Sequence, residues 1–334
     1  MKAIVLAAGR GSRLGGLTDS RCKVMLPVAG RPIIEWVLME LSEAGVKEAI
    51  IVHGYAGSRI LSYLGSGRSL GMKLSFVKQK SPDGTLGAAM DALHNLPLDE
   101  DVLLVNGDNI VSSSAIGRLI SSEAPSLLVS EHDHPEEFGV VALNGNMVEA
   151  ILEKPSPHEV VGRVVSTGAL KFPVLWREEF ERTVNAGMVG LPDALRNLLD
   201  NDVPIQSIRT DTWVDVDHPW DLIKMNAILL NRVQPSISED ADIHPTAVIT
   251  GIVHIGDGCI IRPGTVIEGP VYIGNNCDIG PMAVITGSTT IASGTRVGPF
   301  SRIRSSFLME DVQVDSGTWL QRSVIGPASV LRSH

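Results

Sequence analysis

The stretch IHPTAV ITGIVH IGDGCI IRPGTV IEGPVY IGNNCD, residues 243–278, repeats every six residues. The period continues through Ile279, Ile285, Ile291, Val297 and Ile303, so that β-branched residues stand six apart from Ile243 onward. Four residues after each of these comes a second series: Ala247, Val253, Cys259, Thr265, Val271, Cys277, Ala283, Thr289, Thr295, Ser301 and Phe307, all small except the last. An α-helix needs a spacing near 3.6, and a sandwich has no reason to hold six over so many turns. A hexapeptide β-helix does: each hexad is one short strand and a turn, and three hexads make a triangular coil. Cys259 and Cys277 are one coil apart, at positions that other hexads fill with Ala, Thr or Val. They are expected to be buried small residues rather than a metal or redox pair.

Upstream of the repeat the grammar changes. Lys2–Ala7 reads as a buried strand, and residues 32–44 as a helix with Ile33, Ile34, Val37, Leu38 and Leu41 on one face. Strands are expected at 49–52, 73–78 and 102–106, with helices near 58–64 and 85–96. Three more strands near 127–129, 139–143 and 169–172 have no helices between them, which predicts a mixed sheet. Residues 219–233 read as a last helix. The expected organisation is a Rossmann-like α/β mixed-sheet domain over 1–233, a linker over 234–242 and a β-helix over 243–334.

Composition narrows the function classes. The chain has 334 residues, a formal net charge of −10 and 44% hydrophobic residues. That balance argues against disorder and against a general nucleic-acid binder. No apolar run approaches a membrane span, the apolar stretch at residues 3–8 is too short for a signal peptide, and three cysteines form no closed disulfide set. A cytoplasmic protein is the expectation.

The overall charge conceals a local inversion. Lys2, Arg10, Arg13, Arg21, Lys23 and Arg31 face only Asp19 within the first 34 residues. They surround the glycine-rich turn Gly9–Arg13, which follows the first strand. Such a turn presents backbone N–H groups to phosphate oxygens, and arginines add charge. Neither of two common phosphate loops fits. Leu14 stands where a dinucleotide motif needs glycine, and Leu17 and Thr18 stand where a P-loop needs Lys-Ser/Thr.

The wider stretch is more specific. LAAGRGSRLGGLT (6–18) and CKVMLPVAGRPII (22–34) resemble the signature of sugar-1-phosphate nucleotidylyltransferases. The resemblance continues in family order through QKSPDGTLGAA (79–89), VNGDNI (105–110), FGVVAL (138–143), ILEKP (151–155), STGAL (166–170) and WVDVDHPWDL (213–222). A branch of that family carries a left-handed parallel β-helix, and the pattern is similar to its glucose-1-phosphate thymidylyltransferase and N-acetylglucosamine-1-phosphate uridylyltransferase types.

The resemblance implies transfer of a nucleotidyl group from UTP or dTTP to glucose-1-phosphate or N-acetylglucosamine-1-phosphate, with Mg²⁺ as cofactor. It implies catalytic roles for Arg13 on the leaving pyrophosphate and Lys23 near the α-phosphate. Leu6, Ala8, Gly9, Gly11 and Ser12 would border the nucleotide, and Gln79, Gly84 and Thr85 would read the base. Gly139, Glu153, Lys154 and Thr167 would hold the sugar phosphate, and Asp108 and Asp215 the metal. A homo-oligomer through the β-helix, a trimer on family grounds, is also implied.

Four departures stand out. Cys22 and Val24 replace the prolines that usually flank Lys23 and Gly16 replaces the proline of the first motif, predicting a looser loop, and Ser166 replaces the usual Asn before Thr-Gly. In bifunctional relatives the β-helix is an acetyltransferase whose base is a histidine. Ser316 stands at that place and the chain stops at His334, so acetyl transfer is not expected. A catalytically silent, nucleotide-sugar-binding regulatory protein is the remaining alternative, and all of Arg13, Lys23, Asp108 and Asp215 being present speaks against it.

Overall fold

A computed structural model describes residues 1–19, 21–80, 84–160 and 162–333. They form two compact units. One contains residues 1–10, 22–25 and 34–213; the other contains residues 11–21, 26–33 and 214–334.

The first unit is built on a nine-stranded sheet: β1 (Lys2–Ala7), β2 (Glu48–His53), β3 (Lys73–Lys78), β4 (Asp101–Asn106), β5 (Ser126–Glu131), β6 (Gly139–Asn144), β7 (Met147–Glu153), β8 (Val164–Pro173) and β9 (Gln206–Arg209). The spatial order is β3-β2-β1-β4-β8-β5-β9-β7-β6. The first four strands run parallel, with Ile4 beside Ile50 on one side and Leu104 on the other. β8 enters antiparallel to both β4 and β5, so the sheet is mixed, as the missing helices predicted. β1 is buried along Ala3–Ala7 because parallel neighbours flank it and helices cover its faces. The helices of this unit include α1 (Ile33–Glu43), α2 (Gly57–Leu64), α3 (Gly84–Leu93), α4 (Ser113–Ser121), α5 (Arg177–Asn185) and α6 (Leu191–Asp200).

In the second unit the hexads form three parallel sheets, each strand as far as Val284–Thr286 pairing with the one 18 residues on, as in Ile255 with Ile273 and Ile261 with Ile279. The inward isoleucines and the small series form one continuous core. Cys259 and Cys277 are buried free thiols, donating to the carbonyls of Gly274 (2.9 Å) and Ala292 (3.3 Å).

Two details differ from the sequence reading. Ser236–Ile237, inside the expected linker, already form a strand paired with His254 and Ile255. The repeat also shortens by one residue near Ser305: Ile285 pairs with Ile303, but Ile291 pairs with Leu308. The small inward position after Ile303 is therefore taken by Ser306, whose amide donates to Thr289 Oγ1 (3.4 Å). Phe307 shares the register of Thr290 on the outside of the coil. It is fully buried there because helix α7 (Pro219–Leu230) lies along that sheet.

Asn226 of α7 ties this arrangement together. It is buried, its Nδ2 donates to Ser288 O (3.0 Å), and its Oδ1 accepts from Thr290 Oγ1 (2.7 Å) and from the Ala29 amide (3.2 Å). One amide thus satisfies a turn of the β-helix, its outer face and the hairpin Pro27–Pro32. Asn226→Leu keeps the volume but strands those groups in an apolar setting, so chemical denaturation should show a loss of about 2–4 kcal/mol in the second unit. An unchanged denaturation midpoint would mean that the junction adds nothing.

Candidate active site

The carboxyl ends of β1, β2 and β4 converge on tight backbone contacts. Gly107 N donates to Leu6 O at 2.8 Å, and Gly54 lies so close to Ala8 that a Cβ there would meet its carbonyl at 2.9 Å. Leu6 is buried, Ala8 half-buried, and Gly9 and Arg10 are exposed with open space above Gly9. This edge, outside the carboxyl ends of parallel strands, is where open α/β sheets place their ligands. Arg10 lies over the ring of Tyr55 at 5.0 Å.

Lys23 is the most buried cation of this unit's candidate residues, with 6% exposure. Its Nζ lies 2.8 Å from Asp108 Oδ2, just past the end of β4. Cys22 and Val24 on either side are buried, and Met25 N donates to Cys22 O (2.9 Å) in a short 3-10 turn. The substitutions that predicted a looser loop thus supply apolar anchors in place of prolines. Burial pushes the Cys22 thiol above its ordinary range, so it stays protonated and acts as packing rather than as a nucleophile.

The expected base-reading segment starts at the end of β3. Gln79 N extends the sheet by donating to His53 O (2.8 Å), and its Nε2 donates to Gly84 O (3.3 Å). Residues 81–83 of that motif lie outside the described residues. Gly84 has φ +69° and faces the Val189 carbonyl, so a side chain would be both strained and obstructed. Thr85 Oγ1 accepts from Leu191 N (3.1 Å) at the start of α6, which leaves its proton free to donate. Gly84 and Thr85 form the first residues of helix α3.

The sugar-phosphate candidates gather on β6, β7 and β8. Gly139 and Glu153 are direct partners across the β6–β7 ladder, and Lys154 N donates to Phe138 O (3.0 Å). A Cβ on Gly139 would crowd Glu153 Oε2 at 3.2 Å, so glycine leaves room in front of that carboxylate. Loss of solvation pushes Glu153 above its usual range, and Asp193 adds to this while Lys154 and Arg196 oppose it. Thr167 behaves differently from its neighbours. It is buried, its hydroxyl donates to Leu128 O (3.0 Å) and accepts from Ala169 N (3.3 Å), and its carbonyl accepts from Asn109 Nδ2 (3.0 Å). These bonds pin the irregularity between Ser166 and Leu170 of β8. Ser166 Oγ accepts from Gly168 N (3.2 Å), and Asn106 packs over Gly168 where no side chain would fit.

The second unit holds the rest of the first motif. Gly11 adopts φ +75° and starts the 3-10 turn Ser12–Thr18, and Thr18 Oγ1 donates to Gly11 O (3.0 Å) to close it. Ser12 and Arg13 are exposed, and the Arg13 guanidinium is paired with Asp217. The short strand Trp213–Asp215 buries Trp213 and Val214 and leaves Asp215 half-buried, and beyond it Val216 is buried and Asp217 half-buried. Asp221 Oδ2 accepts from the amides of Asp217 (3.0 Å) and His218 (2.7 Å), capping α7. Arg21 pairs with Glu310 (2.9 Å).

Sequence reasoning did not single out Asp217, Asn106, Asn109 or Gly168, although each lies inside a quoted motif. Ser316, at the acetyltransferase position, is exposed on a turn of the β-helix. The His132 ring packs edge-on against Phe138 (4.6 Å) and Trp213 (5.8 Å), a structural role. Among the described residues no group of three or more His, Cys, Asp or Glu side chains clusters as a ready-made metal cage. No described helix is long and apolar enough to cross a membrane.

Comparison with known proteins agrees with this geometry. Residues 2–232 match the nucleotidyl transferase family, and residues 267–334 match the GMPPB C-terminal domain. The bifunctional protein GlmU of Methanococcus maripaludis is 33% identical over 78% of this chain and 62% of its own length. The chain therefore spans a little over three-fifths of that relative. A glucose-1-phosphate thymidylyltransferase of Streptomyces antibioticus is 28% identical over 77% of this chain and 74% of its own. The fold matches a Bacillus anthracis chain, assigned as a glucose-1-phosphate thymidylyltransferase and crystallised with sucrose, at a TM-score of 0.62 and 24% identity. That match covers 68% of this chain and 94% of the other. With its strand-end carboxylate, buried lysine and glycine-rich turn, this chain belongs to the nucleotidyl transferase family.

Proposed function

We propose that the protein transfers a nucleotidyl group from UTP or dTTP to glucose-1-phosphate or N-acetylglucosamine-1-phosphate, releasing pyrophosphate. The observation that carries this reading is the Lys23–Asp108 pair, a buried cation held beside a carboxylate at the carboxyl edge of the parallel strands. An oxygen of the sugar phosphate attacks the α-phosphorus, the new P–O bond forms, and the bond to the β-phosphate oxygen breaks in line. Two polyanions must meet, so the protein's task is alignment and charge neutralisation. Lys23 offsets charge at the α-phosphate. Arg13 exchanges Asp217 for the leaving pyrophosphate. Gly9, Gly11 and Ser12 offer amides to the phosphates, and Leu6 and Ala8 line the nucleotide.

Gln79 and Thr85 supply donors and acceptors to a pyrimidine edge, which Gly84 lets approach the backbone. Glu153 accepts from sugar hydroxyls across the space left by Gly139, and Lys154 pairs with the sugar phosphate. Thr167 acts indirectly, by holding the β8 irregularity in place. The donor set suits a hard divalent cation: Mg²⁺ is commonly bound by one or two carboxylates together with phosphates and water. Asp108, with Asp215 from the motif, would hold it, and when bound it would neutralise phosphate charge.

The test is pyrophosphate release across a grid of UTP, dTTP, ATP, CTP and GTP against glucose-, N-acetylglucosamine-, galactose- and mannose-1-phosphate. Turnover confined to UTP or dTTP with the first two sugars, and abolished by EDTA, is expected. Silence across the grid in a protein that still binds a nucleotide-sugar would replace this reading with a regulatory one.

Glu153 gives a pH-dependent check. Its carboxyl is raised, so it gains a proton at a higher pH than an ordinary glutamate. KM for the sugar phosphate should rise as pH falls through that range, while KM for the nucleotide should not. Glu153→Gln should raise the sugar KM roughly tenfold or more at neutral pH, the scale of one charged hydrogen bond, and should flatten the acid limb. An unaltered limb in Glu153→Gln would assign it to another group.

A further inference from the structure

The third sheet of the β-helix presents a bare outer face. Its strands are Val248–Thr250, Val266–Glu268, Val284–Thr286, Arg302–Arg304 and Trp319–Gln321, stacked in that order. In each triplet the middle residue points inward, so the first and third residues form two parallel outer columns. One column reads Val248, Val266, Val284, Arg302, Trp319; the other reads Thr250, Glu268, Thr286, Arg304, Gln321. Val248 is 52% and Trp319 72% exposed, and Met282 and Phe300 are exposed on the adjoining corner. Among the described residues, Glu268, Arg302 and Arg304 have no ion-pair partner.

The order of these columns is self-complementary. A two-fold axis running along the central strand, Val284–Thr286, would set a second copy antiparallel on the same face. Val248 would then meet Trp319, Glu268 would meet Arg304, Thr250 would meet Gln321, and Val284 and Thr286 would meet their own copies. Val266 would cover the stem of Arg302. Val248 falls on Trp319 and the acid falls on a base, each contact off the axis occurring twice, as an isologous interface requires. A parallel arrangement does the opposite. Whether about a two-fold or a three-fold axis along the β-helix, it brings each coil level against itself and sets Arg302 and Arg304 against arginines, with like charges unpaired.

We infer that this face is a homodimer interface, in which a second copy of the chain packs antiparallel across Val284. Trp319 is the anchor, a large rigid side chain seated on Val248 at each end, and the paired Glu268 and Arg304 set the register. The inference holds whichever nucleotide-sugar the protein makes, because it uses none of the proposed site residues.

Sedimentation of the full chain with charge-reversed variants tests it. Glu268→Arg and Arg304→Glu each place two like-charged contacts in the interface and should raise the dimer dissociation constant about tenfold or more. The combined variant restores both contacts with reversed sign and should dimerise as the parent does. All three native cysteines are buried. Val284→Cys, which meets itself on the axis, should therefore cross-link to a disulfide dimer under mild oxidation, and Val248→Cys, which meets Trp319, should not. A monomeric parent would overturn the inference. So would a combined variant no better than the single ones, a trimer indifferent to the reversals, or Val284→Cys that fails to cross-link.

Discussion

A lysine ammonium taken out of water must be met by a negative charge, and in this protein the buried Lys23 is met by Asp108 at 2.8 Å. Much of the first unit's design follows from that requirement. Asp108 is available because β4 runs parallel beside β1 and ends on the same edge. Lys23 reaches it because Cys22 and Val24 bury their side chains and hold the intervening turn against the same unit. Desolvation makes such a pair expensive to assemble and costly to break, so its presence at the edge where open α/β sheets place their ligands points to use rather than to stability. In the proposed reaction the pair keeps the free protein electrically balanced, and an arriving polyanion takes over the lysine while the carboxylate becomes available to a cation.

The same economy of charge recurs in the second unit. Arg13 is held by Asp217, and Asp217 is itself positioned by the Asp221 cap of α7. Arg21 is held by Glu310 on the β-helix. The arginines of the glycine-rich motif are therefore not loose surface charges. Arg13 and Arg21 each have an anionic partner in this chain, and Arg10 lies over the ring of Tyr55, so in the proposed function a phosphate must take the place of those partners. The β-helix contributes by carrying Glu310 and by giving α7 a flat surface to lie on, with Asn226 closing the junction.

How legible this was in the sequence depends on how far apart the interacting residues are. The hexad period was plain because every coil repeats the same inward β-branched residue, and the βα pattern of residues 2–106 was plain because buried parallel strands are continuously apolar. The one-residue shortening after Ile303 was not, because Phe307 falls on the six-residue count and reads as its continuation; only the burial of its ring under α7 explains it. Helix α5, with sequence REEFERTVN, escaped because it buries little beyond Phe180 and Thr183. Helix α6 does carry an apolar stripe of Leu191, Ala194, Leu195 and Leu198, and it was obscured by the polar residues between. Lys23 was singled out by the family resemblance of its motif, and Asp108 by that resemblance together with its place after an apolar strand. The pairing of Arg13 with Asp217 joins residues some two hundred positions apart and leaves no local trace. Thr167 has a hydroxyl that sequence assigns readily to a ligand, yet the fold has already used it.

The central claim is that a sugar-phosphate oxygen attacks the α-phosphorus of a nucleoside triphosphate on this protein. Sugar-1-phosphate labelled with ¹⁸O in its non-bridging phosphate oxygens, incubated with UTP or dTTP and Mg²⁺, tests it most directly by mass spectrometry of the products. The account predicts that all label is retained in the nucleotide-sugar and that the pyrophosphate carries none. Label in the pyrophosphate, or an unchanged labelled sugar phosphate with every nucleotide, would contradict it.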